Sequence, residues 1–174
     1  MPPPVKYEQM RKTFVAEGYK PLSETVTIHA VATLKSNNMN GGSGPLGTIR
    51  PPGWHDGGCP SHHNRGHLVG NAVGGSGAEP KNLVTLVAGT NHPIMYSFES
   101  IVKKYVTNKP GDKFYYVIWA RYSGYTLTPG FPIAGAAGNP FCLFPAPHRL
   151  LLALRDSNHR DIPIDMLMTT ADPN

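Results

Sequence analysis

A chain of 174 residues with a formal charge of +5, 40% hydrophobic and 16% charged residues, is long enough for one domain with a real core and too apolar for a disordered chain. Its 19 glycines and 18 prolines argue for turns, long ordered loops and short strands, with few helices. No run approaches the ~20 apolar residues of a membrane helix, and the basic excess permits a polyanionic partner without requiring one.

The opening "MPPPVKYEQMRKTFVAEGYK" has no apolar stretch and does not read as a signal peptide. "TVTIHAVATL" (25–34) alternates apolar with polar or small side chains and predicts a strand with one buried face. His29, within it, reads as a hydrogen-bonded sheet histidine. Asn, Gly and Pro without periodicity make residues 35–54 a long loop. The tetrapeptide GGSG at 41–44 recurs at 74–77, but the flanks differ, so no internal repeat is assigned. "NLVTL" (82–86) is a short strand, and "AGTNHPIMYSFESIVKKYV" after it is the clearest helix. Ile94, Phe98, Ile101, Val102 and Tyr105 share one face of that helix; Thr90 or Asn91 caps its start, Pro93 lies in its first turn, and "NKPG" (108–111) ends it. "KFYYVIWARY" (113–122) is β-branched and aromatic enough for a central strand. Residues 124–147 read as loop. A β-like "RLLLALRD" (149–156), for which a helix stays open, and "IPIDMLMTT" (162–170) close the chain. Cys59 and Cys142 are either two buried thiols or a bridge worth ~4 to 5 kcal/mol in chain-entropy terms.

The stretch "HHNRGHLVGNAVGGSGAEPKN" (62–82) crowds histidines, an arginine and glycines together, and admits a metal cage, a phosphate cradle or a general base. Extended to "NRGHLVGNAVGGSGAEPKNLVTLVAGTNHPIMYSFE", it resembles the core of the DNA/RNA non-specific endonucleases, which belong to the His-Me finger, or ββα-metal, nucleases. The resemblance covers about residues 50–120 and rests on an Arg-Gly-His step, a Gly-rich stretch, a "PxNL" strand and an Asn opening a helix that carries a Glu.

The resemblance implies a role for each matching residue. Phosphodiester hydrolysis needs an activated water, shielding of charge on the phosphate and help for the leaving oxygen. His67 matches the general base, and Asn91 the ligand of Mg2+, with Mn2+ able to substitute; a hard amide oxygen suits such an ion. Glu99, two turns beyond Asn91 on nearly the same face, is expected to hold metal-bound waters, and Lys103, one turn further, to sit near the leaving group where relatives often carry Arg. Arg65 is the second candidate for phosphate contact and Lys81 a further substrate-binding cation. Asn82 is expected to support the site by hydrogen bonding, with Asn71 ranked below it. Asn64 stands where the family usually has Asp, so geometry is replaced there but charge is not.

Two other classes compete. Cys59, His62, His63 and His67 crowd together as a zinc module would require, yet no CxxC half-site is present. A non-catalytic nucleic-acid binder is permitted by basic charge and by Tyr96, Tyr115, Tyr116 and Trp119, most of which lie on apolar elements. The expectation is a single α+β unit (1–174), a mostly antiparallel central sheet with a ββα-metal motif at about 62–106 and long Gly/Pro-rich loops. The resemblance implies Mg2+-dependent, sugar-non-specific cleavage leaving 5′-phosphate ends, and sequence indifference follows if contacts go to phosphates rather than base edges. A secreted or delivered antibacterial toxin, neutralised by a cognate immunity protein, is the expected setting, favoured over a nutritional nuclease by the lack of a leader.

Overall fold

The structure, a computed structural model, describes residues 1–15, 21–54, 63–87, 94–122, 126–129, 141–144, 147 and 149–169. Four strands, β1 (Val5–Phe14), β2 (Leu22–Leu34), β5 (Phe114–Arg121) and β8 (Arg149–Arg155), form an antiparallel sheet in the order β1-β2-β5-β8. β3 (His63–His67) and β4 (Leu83–Val87) make an antiparallel pair of their own, as do β6 (Thr126–Pro129) and β7 (Phe141–Phe144). Two helices are described, α1 (Tyr96–Thr107) and the short α2 (Ile164–Thr169). This is an α+β chain with antiparallel sheets and few helices.

Strand alternation decides what the main sheet buries. Phe114, Tyr116, Ile118 and Ala120 of β5 and Ala30, Ala32 and Leu34 of β2 all point to one side and join a single core. α1 covers that side, with Phe98 stacked near Tyr116 at 6.2 Å and Tyr105 edge-on to Phe114 at 5.6 Å between ring centroids. The β3–β4 pair is wedged into the same core through Val84 and Leu86, continued by Leu68 and Val69 just after β3.

Several elements differ from the sequence expectation for identifiable reasons. β1 was not anticipated because its lysines and glutamates mask the pattern; it is an edge strand, largely exposed, with a bulge between Glu8 and Gln9. The buried face of α1 is Glu99, Val102, Tyr105 and Val106, while Ile94 is 65% exposed. Val102 and Tyr105 are buried and Phe98 and Ile101 pack against the core as expected, Ile94 lies ahead of the helix, and Glu99 joins the inner face through hydrogen bonds described below. β6 and β7 interrupt the segment read as loop, β8 is a strand rather than a helix, and α2 forms within 162–170. Thr90, Asn91 and Pro93, expected at the helix start, and Cys59 and His62 lie outside the described residues; α1 opens at Tyr96 after Met95, which makes no side-chain cap.

Candidate active site

On β3, "HNRGH", the two-residue period puts Arg65 and His67 on one face and Asn64 and Gly66 on the other. The long loop preceding β3 lies across the first of these faces and is tied down at three points. His67 Nε2 is 2.9 Å from the Ser43 carbonyl oxygen, Arg65 Nε donates to the Ile49 carbonyl at 2.7 Å, and the Thr85 hydroxyl donates to that of Pro52 at 2.8 Å. The Arg65 guanidinium also stacks 3.8 Å from the Trp54 ring centroid, a cation–π contact.

A carbonyl oxygen only accepts, so the bond to Ser43 places the ring proton of neutral His67 on Nε2 and leaves a lone pair at Nδ1. Burial lowers the imidazole below its ordinary pKa, and the Ser43 carbonyl pulls it back less strongly. The ring is therefore neutral at neutral pH, the state in which it can take a proton.

The Ser43 carbonyl is itself held by the two GGSG segments, which lie side by side. Ser43 N–H donates to the Gly75 carbonyl at 3.1 Å, Leu46 N–H to that of Gly77 at 2.9 Å, and Gly77 N–H to the Ser43 hydroxyl at 2.9 Å. The approach is so close that a Cβ at Gly77 would run into the Gly44 backbone, and one at Gly42 into the Asn71 backbone. Glycine serves here by allowing backbone to meet backbone.

Glu99 enters from α1. It is 5% exposed; its Oε1 accepts from Gly70 N–H at 2.7 Å and, at 3.4 Å, from the Tyr116 hydroxyl of β5. A Cβ at Gly70 would overlap the Glu99 carboxylate. Burial pushes the Glu99 carboxyl up to about 7, against the opposing pull of the Gly70 and Tyr116 hydrogen bonds. The Tyr116 hydroxyl is held well above its usual range by its own burial and then by the neighbouring carboxylate charge.

His67, Asn71, Glu99 and Lys103 converge on one cavity of about 510 Å³, whose wall is completed by Met39, Met95 and Tyr96 among others. Lys103 follows Glu99 by one helical turn and is half-buried. The other expected site residues sit elsewhere. Arg65 is engaged with Trp54 and Ile49 and does not line this cavity. Lys81 is exposed in a 3-10 turn, its N–H donating to Glu79 and its carbonyl accepting from the Thr27 hydroxyl. Asn64 faces away from His67, so its amide does not touch the imidazole from that side of the strand.

Asn82 is fully buried behind the site. Its Oδ1 accepts from Val69 N–H, and its Nδ2 donates to the carbonyls of Val69 at 2.9 Å and Ser76 at 3.0 Å. It fastens the turn after His67 to the second GGSG segment, whereas Asn71, ranked lower from sequence, lines the cavity together with Asn40. Asn91 lies outside the described residues, as do Cys59 and His62 of the zinc alternative; among the described residues no group of three or more His, Cys, Asp or Glu is placed to hold a metal. Sequence reasoning missed Ser43, Gly70 and Tyr116. The recurrence of GGSG was the only available signal for the first, and nothing local marks Tyr116, whose role depends on a contact across the core.

A neutral imidazole, a buried carboxyl and an amine around one polar cavity, on an antiparallel α+β frame, form the set that an acid–base enzyme uses. A family model of DNA/RNA non-specific endonucleases matches residues 25–132, well over half of the chain, and the chain belongs to that family. No curated protein matches it.

Proposed function

We propose that the chain is a divalent-metal-dependent endonuclease that hydrolyses phosphodiester bonds of DNA, RNA or both, using β3, β4 and α1 as a ββα-metal (His-Me finger) core. The observation that carries this reading is the hydrogen bond from His67 Nε2–H to the Ser43 carbonyl at 2.9 Å, which fixes the tautomer of an imidazole sharing its cavity with Glu99 and Lys103. Nδ1 of His67 takes the proton from the attacking water. Lys103 offers a positive charge to the phosphate or the departing oxygen, as a point charge rather than a bidentate fork.

The oxygen-rich cavity wall suits a hard cation. Asn91 is the assigned ligand, Glu99 is the acceptor for ion-bound waters, and the Asn71 carboxamide is a further oxygen within reach of the cavity. When bound, Mg2+ supplies charge neutralisation at the phosphate and the leaving oxygen. Arg65, stacked on Trp54, is assigned to shaping the loop that carries Ser43 before any contact with substrate.

Plasmid nicking in Mg2+, with EDTA as control, tests the assignment. His67→Ala should lower the rate by roughly 10²- to 10⁴-fold, as loss of a general base does. Equal nicking by parent and variant removes His67 from the mechanism. The proposed setting is delivery as an antibacterial toxin with an immunity partner; expression of the parent should then arrest growth, and the same substitution should relieve it.

A further inference from the structure

The face of the main sheet turned away from α1 carries a second cavity, of about 560 Å³, whose wall includes Lys12, His29, Trp119, Arg121 and Arg149. Because Ile118 and Ala120 point into the core, Trp119 and Arg121 point to the opposite side. The strand register sets Arg121 directly across from Arg149, and His29 directly across from Trp119. Like charges so placed on neighbouring strands repel, and among the described residues neither arginine meets a carboxylate within ion-pair distance. Lys12 adds a third cation on the same cavity wall, its Nζ 3.5 Å from the Tyr122 carbonyl.

The aromatic part of the wall is equally specific. His29 stacks on Trp119 with centroids 5.2 Å apart and planes at 18°, and its Nδ1 is 3.7 Å from Glu8 Oε2. Its Nε2 is buried and has no hydrogen-bond partner among the described residues, an arrangement that costs stability. Two guanidinium groups that repel each other are reconciled by an anion with oxygens for both, which a phosphate provides.

We propose that this cavity binds the phosphate backbone of a nucleic-acid strand at a site separate from the cavity of His67. Arg121 and Arg149 share one phosphate, and Lys12 meets the next. The choice of a nucleic acid over an acidic peptide rests on the nuclease reading; the anion chemistry does not. Since the two cavities open on opposite sides of the main sheet, a short substrate occupies only one of them, and a long strand gains affinity by wrapping around the sheet edge to reach both.

The test compares the parent with Arg121→Glu/Arg149→Glu, both positions being exposed. A 30-nucleotide oligothymidylate is bound in EDTA across a salt series, and hydrolysis of bis(4-nitrophenyl) phosphate in Mg2+ reports the catalytic cavity. The double variant should bind the oligonucleotide roughly 10-fold or more weakly, with the log–log salt slope reduced by about 0.7 for the one single-strand phosphate that the two arginines share, and should hydrolyse the small diester at the parental rate. Lys35→Glu/Lys113→Glu, an equal charge change at exposed positions near the other end of β2 and β5, should keep parental affinity. Unchanged affinity and slope in the first double variant, or an equal loss in the control pair, overturns the proposal. Loss of polyglutamate binding without loss of oligonucleotide binding reassigns the face to an acidic protein and also overturns it. A parent that cleaves nothing yet binds the strand through these arginines refutes the nuclease reading and leaves this site standing.

Discussion

At the scale of single residues, Glu99 has a thermodynamic signature that can be read without substrate. Its folded-state pKa of about 7 lies above the 4.5 of the exposed group, so the folded protein holds this proton more tightly than the unfolded chain does. Its contribution to stability is complete below the unfolded value and is lost as pH rises through 7. That loss is on the order of 3 kcal/mol. Glu99→Gln abolishes the titration, so between about pH 5 and about pH 8 the Tm of the parent should fall by roughly 10 °C more than that of the variant. A cation near the carboxylate favours its ionised form, so added Mg2+ should raise the parent's Tm more at the alkaline end and change the Gln variant little. Equal shifts at both ends would separate Glu99 from the ion. The spacing of Glu99 and Lys103, one turn apart, was legible from helical period, while the choice of these two with Arg65 and His67 came from the family resemblance. What no period could supply is Tyr116, which reaches Glu99 from another element, or the diversion of Arg65 onto Trp54, which depends on how a loop folds back.

At the scale of elements, the loop holding Ser43 is positioned by main-chain contacts, and glycine substitutions discriminate its parts. Gly77→Ala forces a Cβ into the Gly44 backbone, whereas a Cβ at Gly44 itself meets nothing within 4 Å. Gly77→Ala should therefore lower kcat about 10-fold or more by displacing the Ser43 carbonyl from His67, and should lower Tm as well, while Gly44→Ala leaves both near parental values. Matching kinetics for the two variants would detach the paired glycine segments from the base. The strands β2, β4 and β5 were legible because their apolar patterns match the faces they bury. β1 was hidden because an edge strand with one partner can be polar on most positions, and the burial of Glu99 beside the apolar stripe of α1 because its hydrogen-bond partners come from other elements. The two GGSG segments were visible as letters, but their mutual docking was not, since flanks that differ in sequence can still meet in space.

At the scale of the whole molecule, the main sheet separates the side of the His67 cavity from a cationic side, and its central strands carry the connection. β5 lies between β2 and β8 and sends Tyr116 into the core, where it bonds to Glu99 behind one cavity, and Trp119 and Arg121 to the wall of the other. Amides of Val117 and Ile118 should thus exchange with solvent only on global unfolding, and those of β1, at the edge, through smaller openings; comparable protection in both strands would contradict this order. One carboxyl group, that of Glu99, bonds at once to the turn after β3 and to β5 while riding on α1. Selection for heat tolerance alone would favour its replacement by a neutral isostere. Under the proposed role of Glu99 such an exchange trades turnover for thermal robustness, so a heat-hardened form that still turns over should owe its gain to changes made far from this carboxyl.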